Sequence, residues 1–314
     1  MVDFSDVAVV CTSRAEAGPL QSVIKELKGC SVCKVSYAYR EDPHTAMGHA
    51  LEAFSAAFYD NKPKLVVVLG DRYETLSAAF AAMFLKIPVA HIHGGETTTG
   101  SFDNALRHSI SHIAKYHFVA AEEFKSKLIM LGANAEMIHV VGAPGLDGVQ
   151  ENSARRDREL LLVTYHPETM LPDNGVNQCL SMLNELSIYN KKHHVVFTGV
   201  NNDPGCEEIR EMISGYVATH GNSEIRDDVT HDAYVELMQS ASAVVGNSSA
   251  GIIEAPWIGI PTVNIGLRQS GRPLASSIHN TISDALAWRG FCSPIYKGGA
   301  AEKITNIIGK IYIK

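Results

Sequence analysis

Residues 64–96 read "KLVVVLGDRYETLSAAFAAMFLKIPVAHIHGGE". The run "KLVVVLG" has no polar alternation, which marks a strand buried on both faces. "ETLSAAFAAMFLK" has the period and composition of a helix, and "PVAHIH" returns to a strand. Strand, helix and strand in so short a span make a βαβ unit, whose strands lie parallel through a right-handed crossover.

The same alternation extends in both directions. Towards the N-terminus stand "VAVVCT" (strand), "GPLQSVIKELK" (helix), "CKVSYAY" (strand) and "TAMGHALEAFSAAFYDN" (helix). Towards the C-terminus follow the helix "NALRHSISHIAKY", then "HFVAA", "EEFKSKLIMLG" and "IHVVG". A polar, charged stretch at 148–159, "GVQENSARRDRE", interrupts the pattern and is expected to be a linker. The alternation restarts with "LLLVTYHP" and runs through "HHVVFTGV", "SEIRDDV", "SAVVGN" and "PTVNIG", with helical segments between them. The expected fold class is α/β: two Rossmann-like, doubly wound parallel-sheet domains facing a central cleft. The boundaries expected are 1–150 and 151–314, with the last helix able to pack back on the first domain.

Composition narrows the function. The chain has 314 residues, 46% hydrophobic and 19% charged, which is ordinary globular usage. A net charge of −7 argues against a general nucleic-acid binder, although a few arginines can still hold a phosphate. No apolar run approaches the ~18 to 20 residues of a membrane helix. The first residues, "MVDFSDVAVVCTSRAE", lack the basic and long apolar regions of a signal peptide. Six scattered cysteines include one C-x-x-C, Cys30 and Cys33, without a second pair at zinc-site spacing. Plain thiols in a reducing cytoplasm are the expectation.

Ligands of open α/β sheets bind beyond the carboxyl ends of the strands. Seven such ends carry polar clusters. They include Arg14 and Glu16; Asp71 and Arg72; His93 and Glu96; His166 and Glu168; Asn201; Asn247, Ser248, Ser249 and Glu254; and Arg268 with Gln269. "GNSSAGIIEA" combines glycine, hydroxyls and a helix start, the makings of an anion seat, although the serines could equally just cap the helix. It lacks the lysine of a P-loop. Asp103 and Arg107 are spaced i, i+4 and share a helix face, so a surface ion pair is the plain alternative to a catalytic one. Three carboxylates (Asp71, Glu96 and Asp103) with His93 and His166 could supply a general base and a general acid. His91 is expected to face away from His93 in the strand and to be structural.

These residues resemble a known family. "TSRAE", "GDRYE", "HIHGGETTTGSFDNALRHSI", "VTYHP" and "GNSSAGIIEAPWIGIPTVNIGLRQSGR" look like the hydrolysing branch of the UDP-N-acetylglucosamine 2-epimerases, over residues 8 to 310. The resemblance implies two Rossmann-like domains in the arrangement of one glycosyltransferase class (GT-B-like). It implies elimination of UDP across C1–C2 of UDP-N-acetylglucosamine through a 2-acetamidoglycal. Water then adds to give N-acetylmannosamine, a sialic acid precursor. It implies no nicotinamide cofactor, no metal in the mechanism, and a homodimer or homotetramer with no nucleic-acid or membrane partner. Residue by residue, Asp71, Glu96, Asp103, Arg107, His166 and His93 match catalytic positions. Arg14 and Arg72 match positions near sugar and diphosphate, and Asn201, Ser248, Ser249, Glu254 and Arg268 match positions that hold UDP. The chain departs from the pattern in three places. Where some members carry a glutamate ahead of the double glycine it has His93. Asn104 replaces an aspartate often found beside Asp103. The segment between "CKVSYAYRED" and "TAMGHALEAF", near residues 40–46, is shortened. The alternatives are a hydrolysing 2-epimerase for a UDP-2,4-diacetamido sugar, a non-hydrolysing epimerase, a degenerate non-catalytic UDP-sugar binder and, by fold analogy, a glycosyltransferase.

Overall fold

The computed structural model describes residues 4–34, 43–155 and 159–313, with the side chains of Arg14, Ala15, Tyr312 and Ile313 excepted. The chain forms two compact units, each built on a six-stranded, all-parallel sheet. Unit 1 takes in residues 1–96, 103–148 and 296–314, and unit 2 takes in 97–102 and 149–295.

In unit 1 the strands are β1 (Val7–Val10), β2 (Ser31–Cys33), β3 (Leu65–Leu69), β4 (Val89–Ile92), β5 (Tyr116–Val119) and β6 (Ile138–Val140). Between them run α1 (Arg14–Glu26), α2 (Pro43–Asn61), α3 (Tyr73–Phe84), α4 (Asp103–Ile113) and α5 (Glu122–Met130). The strand order is β2-β1-β3-β4-β5-β6, so the winding reverses between β1 and β3. The apolar run in β3 is explained by its two faces. Leu65, Val67 and Leu69 enter one core cluster, while Val66 and Val68 enter the other. Helix α1 starts four residues earlier than the helical pattern suggests, because Ser13 and Glu16 form a capping box. Only the first part of the strand expected at "CKVSYAY" is described. Residues 35–42, and with them residues 40–42 of the shortened segment, lie outside the described residues, while 43–46 open α2.

Unit 2 holds β7 (Leu160–Thr164), β8 (His194–Thr198), β9 (Ser223–Arg226), β10 (Ala243–Gly246), β11 (Thr262–Asn264) and β12 (Ile278–His279). Its helices are α6 (Val176–Tyr189), α7 (Cys206–Thr219), α8 (His231–Ser240), α9 (Ala250–Ile258) and α10 (Ile282–Ala287). The order β12-β11-β10-β7-β8-β9 is that of a dinucleotide-binding fold, with its switch point between β7 and β10. Here too alternate strand residues, such as Val195 and Phe197 against Val196, fill opposite cores.

A last helix, α11 (Ala300–Ile313), belongs to unit 1. Ile304 and Ile308 join the cluster that contains Val7 and Val9 of β1. The carboxylate of Asp147 caps the helix. Oδ1 accepts from the amides of Gly299 (2.6 Å) and Ala300 (2.9 Å), and Oδ2 from that of Ala301 (2.8 Å). The expected linker is no free tether over its first half. The amides of Asn152, Ala154 and Arg155 donate to Trp257, Ile258 and Gln239, and the Trp257 indole donates back to Val149. No helix of the described residues is long and apolar enough to cross a membrane.

Candidate active site

The strand ends of unit 1 are stapled before they are functionalised. Glu16 is buried. Its Oε2 accepts from the Thr12 amide (2.6 Å), the Thr12 hydroxyl (2.8 Å) and the Ser13 amide (3.1 Å), and its Oε1 from the Thr75 hydroxyl (2.8 Å). This bonds the turn after β1 to α3 across the switch point. Burial pushes the Glu16 carboxyl up, against the pull of those hydrogen bonds and of Arg72. Arg14 opens α1 from this turn, and its side chain lies outside the described residues. Arg72 donates to Glu74 (3.1 Å), with its guanidinium 5.1 Å from the centre of the Tyr73 ring.

Arg107 is the surprise of unit 1. It is 2% exposed, on the inner face of α4 rather than on the surface. It forms an ion pair with Asp71, at the end of β3, and donates to the Glu96 carbonyl at 3.3 Å. One buried guanidinium therefore ties the end of β3 to the loop after β4. Asp103, one turn earlier, opens the same helix, where a carboxylate suits the dipole.

The loop after β4 departs from the expected geometry. Residues i and i+2 of a strand share a face, so strand alternation cannot separate His91 from His93. The separation arises because β4 ends at Ile92 and His93 takes φ 64°, a left-handed conformation uncommon for a residue with a side chain. Gly95 follows at φ 80°, and a Cβ there would stand 2.6 Å from the Phe124 carbonyl, so only glycine fits. The turn swings His93 round onto Glu96, whose Oε1 accepts from Nδ1 at 2.6 Å. Glu96 is 0% exposed and the His93 side chain 13%. A buried carboxylate thus orients a partly open imidazole and leaves its Nε2 as the basic nitrogen.

His91 is different in kind. It donates from Nε2 to the Gly70 carbonyl (2.7 Å), and its Nδ1 accepts from the Ser111 hydroxyl (3.0 Å). Burial lowers it to about 3. His117, its register partner on β5, is lowered by burial and by His139 to about 4, and its Nδ1 has no partner among the described residues. Both values lie below the ~6.5 of an unfolded histidine. As pH falls through 6.5 the unfolded chain takes up protons that the folded chain refuses, so stability is lost from there down towards pH 3 to 4. At pH 5 the cost is about 2 kcal/mol for each histidine. Thermal unfolding should therefore shift down by several degrees between pH 7.5 and pH 5, and less so in His117→Phe. Equal pH dependence in that variant would remove His117 from the effect.

In unit 2 the switch point is built around Asn247, which is fully buried. Its Oδ1 accepts from the His166 amide and its Nδ2 donates to the His166 carbonyl, both at 2.8 Å. Its own carbonyl accepts from Gln269 (2.8 Å) and Arg268 (3.5 Å). The amide of Asn201 donates to Nδ1 of His166 at 3.2 Å, which places the ring proton on Nε2. Asn201 thus orients His166 through its backbone, a role that its residue type does not announce. Glu168 accepts from the Leu267 amide (3.0 Å) and fixes the loop that carries Arg268.

The serines divide their work. Ser248 Oγ accepts from the Ala250 amide (3.3 Å), while Ser249 at the N-cap position makes no side-chain cap. Simple capping therefore does not account for Ser249. Glu254 stands one turn into α9, partly buried. The segment Thr97–Phe102 also belongs here. The Thr99 amide donates to Ser270 (2.9 Å), the Phe102 amide donates to the Thr169 hydroxyl (3.2 Å), and a Cβ on Gly100 would collide with the Leu267 carbonyl. Asn247 stood in the polar "GNSS" cluster and carried a legible signal. Thr169 and Gly100 carried none. Among the described residues no group of three or more His, Cys, Asp or Glu could hold a metal ion.

Residues 27–308 match the family model described as UDP-N-acetylglucosamine 2-epimerase. The chain belongs to this family. Among curated epimerases it is 36% identical over 240 residues to the GDP/UDP-N,N'-diacetylbacillosamine 2-epimerase (hydrolyzing) of Campylobacter jejuni, covering 72% of this chain and 62% of that one. It is 36% identical over 245 residues to the UDP-N,N'-diacetylbacillosamine 2-epimerase (hydrolyzing) of Legionella pneumophila, covering 74% and 64%. The chain therefore spans somewhat less than two thirds of the length of these relatives. Among solved structures, the UDP-GlcNAc 2-epimerase of Methanocaldococcus jannaschii in complex with UDP-GlcNAc and UDP superposes with a TM-score of 0.79. The match covers 97% of this chain and 99% of that one at 17% identity, and establishes a shared epimerase fold.

Proposed function

We propose that the protein is a hydrolysing UDP-sugar 2-epimerase, and that its substrate is a UDP-2,4-diacetamido sugar. The observation that carries the reaction is the bond from Nδ1 of the partly open His93 imidazole to the buried Glu96 carboxylate, which leaves Nε2 to act as the base. The choice of sugar rests on the two relatives named for diacetylbacillosamine. They favour the reading that the motifs alone placed second, behind UDP-N-acetylglucosamine.

The C2 proton of a 2-acetamido sugar is weakly acidic, so a base must be held close and its conjugate acid stabilised. His93 removes that proton, and Glu96 stabilises the imidazolium that forms. The C1–O bond to UDP breaks, C1 and C2 become doubly bonded, and the diphosphate leaves with the electron pair. Water then adds its oxygen to C1, and a proton returns to C2 on the opposite face. Arg107 and Asp71 hold the loop that carries the base, with Asp103 at the head of the same helix. His166, with its proton on Nε2, and Arg268 serve the departing diphosphate. Ser249 and the start of α9 seat the phosphate, and Glu254 takes the ribose hydroxyls.

Proton NMR in D2O tests this with the two UDP-sugars in parallel. Free 2-epimerised sugar, deuterated at C2 and equimolar with released UDP, is expected, and faster from the diacetamido substrate. The family's own description favours a second reading, in which UDP-N-acetylglucosamine is the better substrate and N-acetylmannosamine the product. A reversed rate order would establish it. Epimer still joined to UDP would mean a non-hydrolysing enzyme, and two intact substrates beside bound UDP a binding protein.

A further inference from the structure

Arg210, in the second turn of α7, reaches back into the loop that follows β8. Its Nη2 donates to the Val200 carbonyl at 2.8 Å and to Oδ1 of Asn202, and its Nη1 donates to the Cys206 sulfur at 3.4 Å. Val200 and Asn202 flank Asn201, whose amide donates to Nδ1 of His166 at 3.2 Å. The Val200 carbonyl and the Asn201 amide are the two ends of one peptide group. Among the described residues no peptide bond is cis, so those two ends point in opposite directions. Arg210 therefore holds the oxygen end of the peptide whose N–H end holds His166. Val200 and His166 are both buried, each 8% exposed.

The charge on Arg210 gives this peptide a direction. A cationic donor on the carbonyl oxygen polarises the group and makes its N–H the better donor. It also opposes the reversed arrangement. Peptide planes in loops turn over by paired changes in the ψ of one residue and the φ of the next. A reversed plane would present an N–H to Arg210, which repels it, and a carbonyl to His166. A carbonyl beside Nδ1 demands a proton there. The ring proton would then leave Nε2, which would carry a lone pair in place of a donor. The tautomer of His166 is thus tied to a charge one element away.

We propose that Arg210 is a positioning residue for His166: by gripping the carbonyl end of the Val200–Asn201 peptide, it keeps the amide on Nδ1 and the ring proton on Nε2, where a departing phosphate oxygen can accept from it. The proposal rests on the reading that His166 serves the leaving diphosphate.

Nitrogen NMR of the whole protein carrying labelled histidine tests it, because the shifts of the two ring nitrogens tell the protonated one from the bare one. The His166 signals are assigned by their loss in His166→Gln. The parent should carry the ring proton on Nε2. Arg210→Met should show part of the ring protonated on Nδ1, and Arg210→Glu, which attracts the N–H end instead, should show most of it there. Turnover should fall about 10-fold in Arg210→Met and about 10²-fold in Arg210→Glu, with KM held within about 3-fold. Arg210→Lys returns a cation to the carbonyl and should recover the parent tautomer. A parent protonated on Nδ1 would overturn the proposal. So would parent-like nitrogen shifts in Arg210→Glu, or a Lys variant as altered as the Met variant, which would mean that the side chain only packs the loop. Should Arg210→Glu not fold, the Met and Lys variants decide. Full turnover in His166→Gln would overturn the reading of His166 itself, an outcome distinct from an Arg210 variant that leaves the tautomer in place.

Discussion

Glu96→Gln should lower turnover by about 10²- to 10⁴-fold and leave the affinity for UDP unchanged, which titration calorimetry beside the NMR assay would check. The amide keeps the shape of the carboxylate and can still accept from His93. It no longer carries the charge that stabilises an imidazolium across a 2.6 Å bond to a carboxylate that is itself buried. The loss should therefore fall on kcat rather than on nucleotide binding. His93→Gln should cost about as much, and the double variant little more than either, since the two residues act as one device. Full turnover in Glu96→Gln would remove the pair from the chemistry and return the base to Asp71 or Asp103.

Arg107→Met should damage stability and turnover together. The variant leaves the Asp71 carboxylate without the ion pair that holds it. Breaking a buried pair typically costs about 3 to 5 kcal/mol. The lower end applies here, because the Asp71 side chain is still 22% exposed and water can reach it. Turnover should fall by a further ~10²-fold, since Arg107 also holds the Glu96 carbonyl and a misplacement of about 1 Å carries that penalty. Urea unfolding followed by circular dichroism measures the first effect. Arg107→Lys separates them: it restores a charge but not the planar fork that reaches two acceptors, so stability should recover more than activity. A variant with parent stability would mean that Asp71 is satisfied by water alone.

The alternation of "KLVVVLG", "ETLSAAFAAMFLK" and "PVAHIH" was enough to specify two parallel sheets, because a strand without polar residues has few other homes. The strand ends were legible as well, since ligand groups of such sheets gather there. The links between those ends were not. Arg107 finds Asp71 across 36 residues of chain, a partner that its i, i+4 spacing to Asp103 does not announce. No local signal announces a histidine at φ 64°, because the cost is met by the packing of the glycines after it. Tyr234 sits in an ordinary helical pattern, and only the fold brings its hydroxyl to Thr164. The polar stretch at 148–159 looked like a tether, although backbone amides need no particular side chain to bond along α9.

The place of α11 bears on how the protein is made. Its isoleucines close the same core as the first strand, and Asp147 anchors it from the middle of the chain. A ribosome delivers all of Val149–Ile295 before it delivers that helix, so the sheet of unit 2 can be finished while the core shared by β1, β3 and α1 still lacks the isoleucines that close it. During that interval the nascent protein carries one sealed half and one sticky half. Synthesis slowed ahead of Ala300 would prolong it, and chaperones that grip exposed valine and leucine would find their target in residues made long before.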